Sequence, residues 1–230
     1  MSTPEPPEGR VEAELPGYRF GIVLALLFVT FVFMASGPTG SWAVFVAVVL
    51  QGATLLAAFK AAQVGPRLWR VALVVVLVAL LSALAVWLSG TEVRTGVLFA
   101  LSVLLVAAAP VAIAYRLYVR HVIDIKTVMG ALCIYVLLGM FWAYLFGTID
   151  ALSTSSFFVQ TSKPNLADFL YFSFVTLTTT GYGDYTAANG LGRAVAILEA
   201  LLGQMYLVTV VALLVSNLGG RARRRVDGDD

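Results

Sequence analysis

The chain has one cysteine, Cys133, and one histidine, His121, among its 230 residues. A lone thiol inside an apolar run builds neither a disulfide framework nor a cysteine metal site, so Cys133 reads as a small buried hydrophobe. Charge is also scarce: 12% of residues are Asp, Glu, Lys or Arg, against 60% hydrophobic, whereas about a quarter are charged in soluble domains. No nucleotide-binding glycine loop, metal-ligand spacing or nucleophile–base constellation stands in the sequence, and His121 lies beside Arg120 at an expected helix end. Neither an enzyme nor a nucleic-acid binder is expected, and no organic cofactor. A secretory signal is missing too. The start (Pro4, Glu5, Pro6, Pro7, Glu8, then Glu12 and Glu14) is acidic and proline-rich, and residues 1–18 read as a disordered tail.

What the chain has in abundance is uncharged apolar length. A helix crossing a hydrocarbon core of about 30 Å needs roughly 20 residues. No charge falls between Arg19 and Lys60, but Gly37-Pro38-Thr39-Gly40 breaks that run. Two spans are expected there, 19–36 and 41–62, followed by 71–89, 95–115 with a kink at Pro110, 127–149 and 192–218. The fold class is therefore an all-α membrane protein with six transmembrane helices. Of the 15 basic residues, only Arg94, Lys163 and Arg193 fall outside if the N-terminus is cytoplasmic. That bias puts both termini in the cytoplasm of a multi-pass protein of the cell membrane. A four-helix body (19–118) then precedes a second unit (119–220) and a short basic and acidic tail (221–230).

The segment between the last two spans is too long for a hairpin and too polar to cross. Ser153 to Ser162 reads as an exposed turret. Asn165 is a good N-cap with Asp168 three residues on, an approximate capping box, opening a helix over Leu166–Thr178 of roughly 20 Å. That is half a membrane, so the helix is re-entrant, with the negative end of its dipole at the membrane centre. Then comes Thr176-Leu177-Thr178-Thr179-Thr180-Gly181-Tyr182-Gly183-Asp184. Glycines alternating with Thr180 and Tyr182 let an extended strand turn successive carbonyls the same way. Such a column can replace the water shell of a cation.

That nine-residue stretch resembles the potassium-channel signature T-x-T-T-x-G-Y-G-D at every fixed position, and the potassium-channel filter is the standard example of this carbonyl device. The chain from about Thr127 to Leu218 is similar to the outer helix, pore helix, filter and inner helix of tetrameric potassium channels. The phrase Leu198 to Leu207 is reminiscent of bacterial six-span members without a charged sensor. The resemblance implies a selectivity filter at Thr179, Thr180, Gly181, Tyr182 and Gly183 holding K+ ions, with Asp184 at its outer mouth. Tyr171, Thr176 and Thr178 stand as filter support, although both threonine hydroxyls can bond back to the preceding turn. Gly203 lies where inner helices bend to open, so it reads as a gating hinge or as a close-packing site. One pore segment per chain implies a homotetramer embedded in membrane lipids.

The chain also departs from the pattern. Tyr171-Phe172 replaces the two tryptophans that many pore helices carry. Tyr171 can donate to Asp184, whereas Phe172 cannot brace Tyr182. Val175 stands where some bacterial channels place a glutamate. Glu199, the acid inside the last span, reads as a cavity or support acid, or as a neutral glutamate bonded to a pore-helix hydroxyl. The fourth span carries no arginine, so passive K+ conduction with weak voltage dependence is expected. The alternatives are a less selective cation channel and a regulatory subunit of a K+ uptake system.

Overall fold

The computed structural model describes residues 18–38, 40–89, 96–119 and 125–226. The N-terminal tail, the loop with Arg94, the Arg120–His121 junction and the last four residues lie outside it. In order come α1 (Tyr18–Ala35), α2 (Ser41–Ala62), α3 (Pro66–Ser89), α4 (Gly96–Val119), α5 (Ile125–Leu152), α6 (Leu166–Leu177) and α7 (Gly190–Val226). Among the described residues, four stretches are long and apolar enough to cross a membrane: Trp42–Ala62, Pro66–Leu88, Thr127–Leu152 and Gly190–Val210. Shorter apolar runs lie in α1 (Phe20–Ala35), α4 (Phe99–Tyr115) and α6.

Local chemistry explains where the helices exceed the sequence expectation. Pro66 occupies the first position of α3, where a missing N–H is harmless. The helix therefore starts before Val71 and takes Arg67 and Arg70 into its first turns. α4 runs on through Pro110. α7 continues to Val226, so residues 221–226 belong to that helix.

The helices pack as one continuous body across the boundary expected near residue 118. α2 touches α1, α3 and α4; α5 lies against α1 and α4; α6 is held by α1, α5 and α7. α1 runs parallel to α5. The Cys133 thiol meets the Phe20 carbonyl at 3.9 Å near one end, and the Tyr144 hydroxyl meets the Met34 sulfur at 3.4 Å near the other. α4 runs antiparallel to α5, with Phe99 from its start seated against Gly147 near the end of α5. A Cβ on Gly147 would come within 2.7 Å of that ring. α3 is the peripheral helix, exposing Leu68, Val74, Leu77 and Leu88.

The turret departs from expectation. Phe157 and Phe158 are buried, and their rings pack with Phe146, Phe169 and Phe172. Asp150 accepts the Phe157 N–H at 2.7 Å. Phe158 forms an isolated antiparallel bridge with Ala187. Aromatic burial thus folds the turret inward and ties it to the chain leaving the signature stretch.

Candidate functional site

α6 starts as its sequence requires. Asn165 accepts the Asp168 N–H at 3.1 Å, and Asp168 accepts the Asn165 N–H at 2.8 Å, a complete capping box. Asp168 also accepts a hydrogen bond from the Tyr185 hydroxyl at 3.0 Å, which pushes that phenol upward. The helix ends at Leu177 with Thr178 as C-cap.

Beyond the cap the backbone alternates. Thr179, Gly181 and Gly183 have φ of 57°, 57° and 80°, while Thr180 and Tyr182 lie outside the left-handed region. Glycine takes such values freely, but Thr179 has a branched Cβ and needs its surroundings to hold it there. Its N–H donates to the Thr176 carbonyl at 2.9 Å. The N–H groups of Thr180 and Gly181 both reach the Val175 carbonyl, at 2.9 and 3.2 Å. Amides therefore face the end of α6, and the stretch from Thr178 to Asp184 is exposed along its length in the single chain.

Thr178 donates back to the Phe174 carbonyl at 2.6 Å and meets the Thr180 hydroxyl at 2.9 Å. Thr176 contributes its carbonyl. The Tyr171 hydroxyl donates to Asp184 at 2.7 Å, and this bond pushes the phenol up to about 12. Asp184 also accepts the Tyr185 N–H at 3.1 Å. The Tyr171 ring stacks on that of Tyr182, with centroids 6.5 Å apart and planes 8° from parallel. Phe172 is buried in the aromatic cluster behind and does not reach Tyr182.

Gly203 lies against the last turn of α6. A Cβ there would come within 2.6 Å of the Leu177 carbonyl oxygen and 2.7 Å of Leu177 Cδ1. Glu199, one turn earlier, is fully buried and touches Ser173 on α6 at 2.5 Å. Sequence reasoning named neither Ser173 nor Tyr185. The first looks like any helix serine. The second follows Asp184 and could have been noticed as a donor near an acidic cap.

Fold and site together define an all-helical, multi-pass membrane protein. Residues 130–219, from α5 through most of α7, match the family model described as "Ion channel". The chain is similar to the potassium voltage-gated channel subfamily A member 2 of Xenopus laevis, 28% identical over 98 residues, covering 40% of this chain and 20% of that one. It is also similar to the probable potassium channel protein 2 of Methanocaldococcus jannaschii, 46% identical over 46 residues, 19% of this chain and 13% of that protein. A third relative, potassium voltage-gated channel subfamily A member 10 of Homo sapiens, is 26% identical over 98 residues, covering 40% of this chain and 19% of that protein. The chain thus spans about a fifth or less of the length of these relatives. No solved structure matches it.

Proposed function

We propose that the chain is one subunit of a homotetrameric, potassium-selective channel that conducts passively across the cell membrane. The observation that carries this reading is the alternating backbone of Thr179 to Gly183. Its Thr180 and Gly181 amides are tied to α6, leaving carbonyls to face an axis shared with other copies. In a closed ring these carbonyls, with the Thr179 hydroxyl, hold dehydrated K+ ions in several adjacent sites. Ions then enter favourably and leave by mutual repulsion. Asp184, fixed by Tyr171 and the Tyr185 amide, stands at the outer mouth.

Six spans are supported by the alternating directions of α1, α4 and α5, with both chain ends in the cytoplasm. α6 is the re-entrant pore helix, its carbonyl end toward the ions. Gly203 packs the inner helix against it, and a hinge there must first open that contact. α1 to α4 act as a lipid-facing scaffold. The buried polar side chains of these helices, among the described residues, are the uncharged Thr30, Gln51, Thr54 and Ser102, which favours weak voltage dependence.

Purified protein in liposomes under opposed potassium and sodium gradients tests the reading. The reversal potential is expected to follow potassium without any accessory subunit. Equal tracking of sodium would point to a less selective pore, and absence of flux without a partner would point to a regulatory subunit.

A further inference from the structure

We infer that Glu199 is a neutral carboxylic acid that donates its proton to Ser173 and so clamps α6 between α5 and α7. Calling α6 a pore helix rests on the reading above; the protonation does not.

A count of protons carries the inference. The Ser173 oxygen lies 2.7 Å from the Gly139 carbonyl on α5 and 2.5 Å from Glu199 Oε1 on α7. A serine hydroxyl has one proton to give, and a backbone carbonyl can only accept. If Glu199 were a carboxylate, two acceptors would compete for that proton. One pair of oxygens would then face each other at hydrogen-bonding distance with nothing between them. A proton on Glu199 Oε1 resolves both contacts: the acid donates to serine, and serine donates to Gly139.

The other carboxyl oxygen supports the same state. Glu199 Oε2 is buried without a hydrogen-bond partner, and the residue has no exposed surface. A bare carbonyl oxygen tolerates this far better than half of a carboxylate charge. The ionisable side chain of α5 within electrostatic reach is Tyr135, whose own hydroxyl is buried and unpartnered. From α6 the facing group is Ser173; Asp168 and Tyr171 are engaged at the outer end by Asn165, Tyr185 and Asp184. Among the described residues neither helix brings a cation to Glu199.

The clamp also has a second rung. Glu199 and Gly203 are four residues apart on α7, as Ser173 and Leu177 are on α6, so the two contacts lie on one face of each helix. The upper rung is a hydrogen-bonded acid and the lower one a backbone contact. Together they fix the end of α6 whose Val175 carbonyl holds the Thr180 and Gly181 amides. Glu199 is thus a positioning residue for the stretch after α6, two contacts removed from it.

Infrared difference spectra of the reconstituted full chain against Glu199→Gln, at neutral pH, test the proton directly. The substitution is expected to remove a carboxylic-acid carbonyl band; loss of a carboxylate band instead would overturn the inference. Recordings then test the clamp. Glu199→Gln keeps a donor to Ser173 and is expected to hold conduction within about twofold of wild type. Glu199→Leu has no donor and is expected to lose conduction roughly tenfold faster during sustained opening. Equal behaviour of the two variants would refute the clamp. Wild-type protein that conducts no potassium would refute the channel reading, while the infrared result would still decide the proton.

Discussion

Replacing Gly203 by alanine puts a carbon atom where Leu177 already is. The added Cβ would stand 2.6 Å from a backbone oxygen and 2.7 Å from a leucine methyl. The leucine side chain can rotate away, but the carbonyl cannot. Restoring ordinary contact requires α7 to back away from α6 by roughly 0.8 Å. Overpacking of this kind costs about 1–3 kcal/mol per chain. The same movement pulls on the Glu199–Ser173 contact one turn away, so the two losses should not be independent. Thermal unfolding of the purified protein is expected to shift down, and on the proposed function conduction is expected to fail sooner during sustained opening. A hinge alone would act differently: open probability would fall with the unfolding transition unmoved. An alanine variant that melts and opens like wild type would refute both readings of Gly203.

Tyr171→Phe removes the donor to Asp184 and is expected to speed the loss of conduction, with unchanged single-channel kinetics counting against the pairing. Because the Tyr171 phenol is raised, its neutral donor form is complete below about pH 10 and lost only as pH climbs toward 12. Conduction loss should therefore not change between neutral pH and about pH 9; acceleration over that range would show that another group governs it. Asn165→Ala opens the capping box and is expected to cost about 1 kcal/mol, read in denaturant unfolding. Opening should depend weakly on voltage, since steep sensors move three or four charges per subunit at about 2.3 kcal/mol per charge per 100 mV. Activation curves with a slope of several gating charges would contradict that reading of α4.

The helices and the backbone alternation that follows α6 were legible because their causes are local. Charge-free length, the Gly-Pro-Thr-Gly break and the Asn165–Asp168 box each act within a few residues. The contacts that position the site were not legible, because helices apolar on every side show no stripe to mark which face meets protein and which meets lipid. Nothing in the sequence told Phe174 to lie over Gly139, where a Cβ would stand 2.5 Å from the ring. Nor did it say that Phe31 of α1 would meet Phe174 edge-on at 5.0 Å. Ser153 to Ser162 misled for a different reason: its serines signal exposure, but two adjacent phenylalanines decided its course.

Phe174 over Gly139, Phe99 over Gly147 and Leu177 over Gly203 share a thermal consequence. Lipid tails are as apolar as the side chains they replace, so shape, not expulsion of water, holds these helices together. Separating them within the bilayer exchanges protein contact for lipid contact and wets almost no surface. The large heat-capacity change that curves the stability of soluble proteins arises from such wetting. Cohesion between the helices of this chain should therefore vary gently with temperature, without the fall on cooling that a water-driven core shows.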